Sequence, residues 1–217
     1  MHKTSIWMGA LLAACTLAHA AGVLPPAAPA PDAPASVAAS GRPSLAAAQA
    51  LIRAGQPQAA IARHLDALIA EGEARYDDAG RTYYCAHTDA ERLAYAAVGA
   101  VTSSNRYINL LDGAWADAIF LRGFAEVDLG DLPAARRDYA RALALSPRNP
   151  HYLSEMGELH STMHDWQGAL AFYGQARDDA LAMAVPGDGT FELARALRGI
   201  GYVDVELVSC PAYSCEK

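Results

Sequence analysis

Residues 116–149, ADAIFLRGFAEVDLGDLPAARRDYARALALSPRN, and residues 150–183, PHYLSEMGELHSTMHDWQGALAFYGQARDDALAM, are one pattern written twice. Gly123, Leu129, Asp131, Ala135, Tyr139 and Ala142 return as Gly157, Met163, Asp165, Ala169, Tyr173 and Ala176, each 34 residues on (157 − 123). A fixed period of this size marks an array whose unit is a helix–turn–helix, because one such unit cannot bury its apolar face alone. The small residues have a physical task. Gly123 and Gly157 let paired helices approach closely, and Ala135 and Ala169 sit where they cross. Tyr139 and Tyr173 fill the gap between one unit and the next. Gly130-Asp131 and His164-Asp165 are the turns.

Upstream the same pattern is worn. Ser44 is placed to cap a helix carrying Leu45, Ala48, Leu51 and Ile52, which Ala54-Gly55 stops. Pro57 starts a second helix to about Ala70, with Ile61, Leu65, Leu68 and Ile69 on one face. Gly55, Ala60 and Ala67 have the relative spacing of Gly130, Ala135 and Ala142, which makes this helix pair a degenerate copy, with His64 at the tyrosine position, and residues 44–115 a stretch of degenerate repeat-like helices. Asp77-Asp78-Ala79-Gly80 reads as a turn, and Tyr76, Tyr83 and Tyr84 are expected to pack on neighbouring helices. Thr88-Asp89-Ala90-Glu91 is a capping box that opens a helix through Leu93, Ala97 and Ala100. Thr102 to Gly113 reads as a polar connection with Ile108, Leu110 and Leu111 tucked in.

Downstream, after the Pro186-Gly187-Asp188-Gly189 loop, Phe191, Leu193, Leu197, Gly199-Ile200-Gly201-Tyr202 and Val205 read as another first helix. Residues 190–217 then form either an incomplete unit or a helix capping the array, followed by a tail.

Met1-His2-Lys3, the apolar run Ile6–Ala14 and Ala18-His19-Ala20 form an export signal over residues 1–20. Leu12-Ala13-Ala14-Cys15 also resembles a bacterial lipobox, so two routes stay open: soluble export to the periplasm or beyond, and lipidation at Cys15 with a membrane anchor. Residues 21–43 hold six of the twelve prolines among Ala, Ser and Gly and lack large apolar side chains, the composition of a disordered linker. The formal net charge is −7 and no basic stripe follows from the sequence, which argues against nucleic acid as a partner. Cys85, Cys210 and Cys215 remain beyond the signal. Cys210 and Cys215 are spaced to close a small disulfide loop around Pro211, and three reduced thiols are the other reading.

The doubled pattern resembles the tetratricopeptide repeat (TPR) family: Ile119, Gly123, Ala135, Tyr139, Ala142 and Pro147 in one unit, Leu153, Met156-Gly157, Ala169, Tyr173 and Ala176 in the next. Arg122, Glu126, His160 and Leu181 depart from it. Tyr83-Tyr84-Cys85 with Trp115-Ala116-Asp117-Ala118 is also similar to uncharacterised bacterial exported TPR proteins. The resemblance implies an all-α, right-handed solenoid of antiparallel helix pairs, with units at 116–149 and 150–183. It also implies a concave groove lined by the first helices that holds a peptide or partner helix. Carried onto this chain, that protein-binding groove comprises Asp117, Phe120, Phe124, Val127, Asp128, His151, Ser154, Glu158, Ser161 and Thr162. Phe120 and Phe124 form a stripe four residues apart, and either anchor a partner or pack against the helix through Leu93. The lysine and asparagine that grip a terminal carboxylate in chaperone-binding members have no counterpart here.

Enzymatic signals are thin. His160 and His164 have the spacing of zinc ligands, but Ser161 stands where a metalloprotease carries its glutamate. Glu155 and Glu158 raise the question of an acid catalyst of envelope hydrolysis, without the glycosidase domain that chemistry uses. Cys85 and His87 lack a third partner. The expectation is a non-enzymatic, cofactor-free adaptor of the bacterial cell envelope that binds a protein partner or itself. An envelope hydrolase or peptidoglycan-processing enzyme is the alternative.

Overall fold

Helix α1 (Leu45–Arg53) opens on Ser44, whose hydroxyl accepts from the Ala47 N–H at 3.4 Å in the computed structural model. The structure describes residues 42–76, 80–101, 107–182 and 189–209, and these are mostly helical. The export signal with Cys15, the linker up to residue 41, the turn at 77–79 and the Cys210/Cys215 pair lie outside the described residues.

After Gly55, at a positive φ of 69°, the chain returns as one continuous helix in three parts. These are α2 (Pro57–Ala60), a π turn (Ile61–Leu65) and α3 (Asp66–Tyr76), so the helix runs a turn and a half beyond the expected Ala70. A π turn adds one residue to a helical circuit. The insertion changes the alignment with the later copies: Leu65, fully buried beside Ala48 and Ala60, occupies the tyrosine place that the sequence spacing assigns to His64. Ala67 is correspondingly exposed rather than equivalent to Ala142.

The next segment keeps the helix expected after Thr88 but sets a strand on either side of it. Residues 81–112 contain β1 (Arg81–Ala86), α4 (Asp89–Val101) and β2 (Tyr107–Asp112). The strands pair in parallel, Arg81 opposite Tyr107 and Ala86 opposite Asp112. A parallel pair needs a crossover, and α4 supplies it. What reads as a polar connection is thus half strand. Tyr83 does pack on a helix, its ring 5.3 Å from Tyr76, while Tyr84 stacks on Tyr95 of α4 at 5.1 Å. Among the residues of α4 whose burial is described, Glu91 and Tyr95 are buried; Leu93 is 74% exposed.

Four helices then form two hairpins, α5 (Ala114–Asp128) with α6 (Leu132–Leu145) and α7 (Pro150–Thr162) with α8 (Trp166–Ala182). The 34-residue repeat is visible atom by atom. A methyl group on Gly123 would lie 2.8 Å from the Tyr139 ring, and one on Gly157 would lie 3.0 Å from the Tyr173 ring. Asp131 accepts from Ala134 N and Asp165 from Gly168 N, both at 3.0 Å, each starting a return helix. Gly130 and His164 take the left-handed turn conformation, at φ 77° and 59°. Two of the residues that break the pattern are paired, whereas Glu126 Oε2 is buried with no hydrogen-bond partner among the described residues and Leu181 is exposed. Arg122 Nε and Nη2 donate to Asp138 at 2.5 and 2.9 Å, and His160 Nδ1 lies 2.7 Å from Asp165 Oδ2.

The first hairpin packs directly on α5 even though the βαβ segment lies between them in sequence. The main core joins Ile69, Cys85, Ile119, Phe120, Tyr139, Tyr152, Met156 and Leu159. The last helix, α9 (Gly189–Ser209), packs against α7 and α8, with Gly199 against the Tyr173 ring.

Candidate functional site

The first helix of every unit contributes to one cleft. Gln49, Ile52 and Arg53 come from α1, Phe120, Leu121 and Phe124 from α5, His151 and Glu155 from α7, and Arg195 from α9, around a volume of about 310 Å³. The lining positions shift along the array, α1 and α5 sharing one of them. Since Gly55 corresponds to Gly130, Gln49, Ile52 and Arg53 correspond to Phe124, Val127 and Asp128. A second hollow continues along the same face, lined by Ser154, Glu155, Glu158, Tyr173, Arg195, Arg198, Gly199 and Tyr202. Glu155 and Arg195 belong to both and pair with each other. Arg195 Nε also faces Glu192 at 3.4 Å, and Glu192 faces His151 Nδ1 at 3.4 Å, so a chain of polar groups crosses from α7 to α9.

Burial holds the Glu155 carboxyl above the usual carboxylate range; His151 and Arg195 oppose that shift, while Glu158 and Glu192 add to it. Ser154 is buried in the wall of the second hollow, and its Oγ has no hydrogen-bond partner among the described residues.

Nine of the ten groove residues expected from the sequence fall into three groups, and Asp117 stands apart. Phe124, His151 and Glu158 line the hollows with side chains that reach solvent, and Glu158 accepts from the Tyr173 hydroxyl at 2.7 Å. Phe120 borders the cleft but is only 5% exposed, and Ser154 and Ser161 are also buried, so these three serve the wall rather than its surface. The Phe120 ring stacks on Tyr152 at 4.5 Å and on Tyr139 at 5.3 Å, and meets His151 edge-on at 5.1 Å. Its packing partners are α6 and α7, not the helix of Leu93. Val127 is half-buried against the core, Asp128 is exposed at the end of α5, and the Thr162 hydroxyl donates to the Glu158 carbonyl at 3.0 Å.

Asp117 is drawn into a cluster that sequence spacing does not reveal. His87 follows β1 directly, and its ring lies between two carboxylates: Nδ1 is 3.2 Å from Glu91 Oε2 and Nε2 is 3.1 Å from Asp117 Oδ1. The Tyr152 hydroxyl donates to Asp117 at 2.6 Å, and Asn149 Nδ2 approaches His87 Nδ1 at 3.1 Å. Gly113 makes room, since a methyl group there would overlap the imidazole. Burial disfavours the charged ring, but the hydrogen bonds and charges of Asp117 and Glu91 outweigh it and push the His87 pKa up to about 9. In Asp117 the same contacts with His87 and Tyr152 overcome burial and hold the carboxyl below its ordinary value. The capping glutamate also serves the cluster: Thr88 Oγ1 accepts from the Glu91 N–H at 3.1 Å, while the Glu91 carboxylate accepts from the His87 N–H at 2.5 Å and faces its ring. Cys85, two residues upstream, is a buried free thiol pushed up to about 11 by burial, a state opposite to that of a nucleophile.

The missed cleft residues, Gln49, Ile52, Arg53, Arg195, Arg198 and Tyr202, were within reach of the sequence. If Gly201 is set against Gly157, Arg195, Arg198 and Tyr202 fall on His151, Ser154 and Glu158. Comparison with protein-family models, curated proteins and solved structures finds no match to this chain. No helix among the described residues is long and apolar enough to cross a membrane.

Proposed function

We propose that the chain is an exported, non-enzymatic scaffold of the bacterial cell envelope, built as a TPR-type solenoid, and that it holds a peptide or helix of a partner protein along its first helices. One observation carries the reading: four helices spaced along the chain, α1, α5, α7 and α9, line a single cleft. That is the surface on which a repeat array concentrates recognition. Ile52, Leu121 and Phe124 offer the apolar contact, and His151, Glu155 and Arg195 set polarity beside it. The pairing of Glu155 with Arg195 supports a recognition role for that carboxylate over a proton-donating one.

The test is a photo-crosslinking residue at Phe124, compared with one at exposed Arg137 on the outer side of α6, in the intact envelope. A distinct adduct from position 124, lost when Ile52 is changed to Asp in the same chain, is the expected result. Identical products from both positions sink the reading. Turnover of an envelope substrate that Glu155→Gln abolishes would replace it with an enzymatic one.

A further inference from the structure

Helix α9 packs on α7 and α8 through Ala196, Gly199 and Val203, and its opposite side is a stripe with nothing over it among the described residues. In the complete hairpins, Ile119 and Leu153 are buried beneath the return helix, and Gly123 and Gly157 touch its tyrosine. The same positions in α9 are bare. Leu197 is 49% exposed, and a methyl group on Gly201 would meet no atom within 4 Å. Val205 and Val208 extend the stripe at 61% and 84% exposure, and Ala194 begins it. An apolar outer face is the reverse of what a capping helix presents.

The stripe is symmetric about one residue. Leu197 and Val205 stand four residues either side of Gly201, Ala194 and Val208 seven, and the exposed, oppositely charged Arg198 and Asp204 three. We propose that α9 is a dimerisation helix, and that two copies of this chain pair their α9 helices antiparallel with Gly201 meeting Gly201 at the two-fold axis. An isologous contact requires that residue i meets j while j meets i. Antiparallel pairing about Gly201 satisfies this along the whole stripe. Leu197 meets Val205 of the other copy, Ala194 meets Val208, and Arg198 comes level with Asp204 across the gap that the glycines leave. The stripe from Ala194 to Val208 is about 21 Å long at helical rise, four turns of buried seam. An unrelated partner would have no need of a pattern that complements itself, and the charges select a second copy over other apolar helices. The apolar stripe faces away from α7 and α8; Arg198 also borders the second hollow, so Val205→Glu, which touches neither hollow, is the variant that separates dimerisation from cleft binding.

Sedimentation equilibrium of the purified full chain tests it. The chain sediments as a dimer, and Val205→Glu makes it a monomer of unchanged helicity by circular dichroism. R198E alone, or D204R alone, sets like charges across the axis and weakens the dimer by roughly tenfold. The double variant R198E/D204R restores it to within a few fold of the original. A chain that is monomeric at every concentration overturns the proposal. So does a dimer that tolerates Val205→Glu, or one that the double variant weakens more than either single change.

Discussion

The Arg122–Asp138 pair invites a quantitative test, because it stands where the repeat pattern calls for an aliphatic residue. Changing Arg122 to Met removes both hydrogen bonds to Asp138, a carboxylate with only 6% of its side chain exposed. Breaking a buried pair costs about 3–5 kcal/mol, since the remaining charge loses its partner without regaining water. Two features lower that figure here. The Arg122 side chain is 20% exposed, and Arg141 Nη1 stands 3.7 Å from the stranded carboxylate. We expect a loss of about 2–3 kcal/mol in urea unfolding followed by circular dichroism. Asp138→Leu alone costs less, because Arg122 keeps Asp66 at 3.1 Å and its access to water. The double variant Arg122→Met with Asp138→Leu fills the site with apolar atoms and returns to within about 1 kcal/mol of the parent. A loss below about 1 kcal/mol for Arg122→Met, or additive losses in the double, would refute the reasoning.

Two further outcomes follow from the core. His87 titrates near 9 in the fold against 6.5 when free, so its contribution is complete below pH 6.5 and disappears as pH rises through 9; the thermal midpoint falls across that window and flattens in His87→Gln. Gly199→Ala drives a methyl group to 2.3 Å from the Tyr173 ring and lowers the midpoint, whereas Gly174→Ala, with open space around it, gains roughly 0.5–1 kcal/mol from helix propensity.

What the sequence disclosed and what it withheld divide along physical lines. Helical hairpins are local, so Gly130, Asp131 and Tyr139 and their copies announce them within one window of chain. The groove register comes from the same spacing; of its residues Phe120, Phe124 and His151 border the cleft, while α1 and α9 enter it at shifted positions. The π turn was invisible because one inserted residue leaves Ala60 and Ala67 at the spacing of an unbroken helix, while the buried side chain becomes Leu65. The parallel strands were harder still. Thr82-Tyr83-Tyr84-Cys85 and Tyr107-Ile108 have strand-forming side chains, yet each finds its partner only across a helix. The His87 cluster depended on that pairing, since β1 delivers His87 to Asp117 and Tyr152 from 30 and 65 residues away. Arg122 and His160 looked like erosion of the pattern until Asp138 and Asp165 were seen beside them.

The βαβ segment also changes how the array holds together. A stack with contacts only between neighbours can peel from its end, one unit after another. Here the Cys85 carbonyl accepts from the Ser146 hydroxyl at 2.7 Å, and the Tyr95 hydroxyl accepts from the Arg148 N–H at 3.2 Å. Both contacts clamp the linker between α6 and α7 to a segment that enters the chain before α5 does. The intervening hairpin is thus enclosed by a clasp fastened on both sides, and peeling α1–α3 away does not open it. The part of the molecule from β1 to Asn149 is therefore expected to melt as a block.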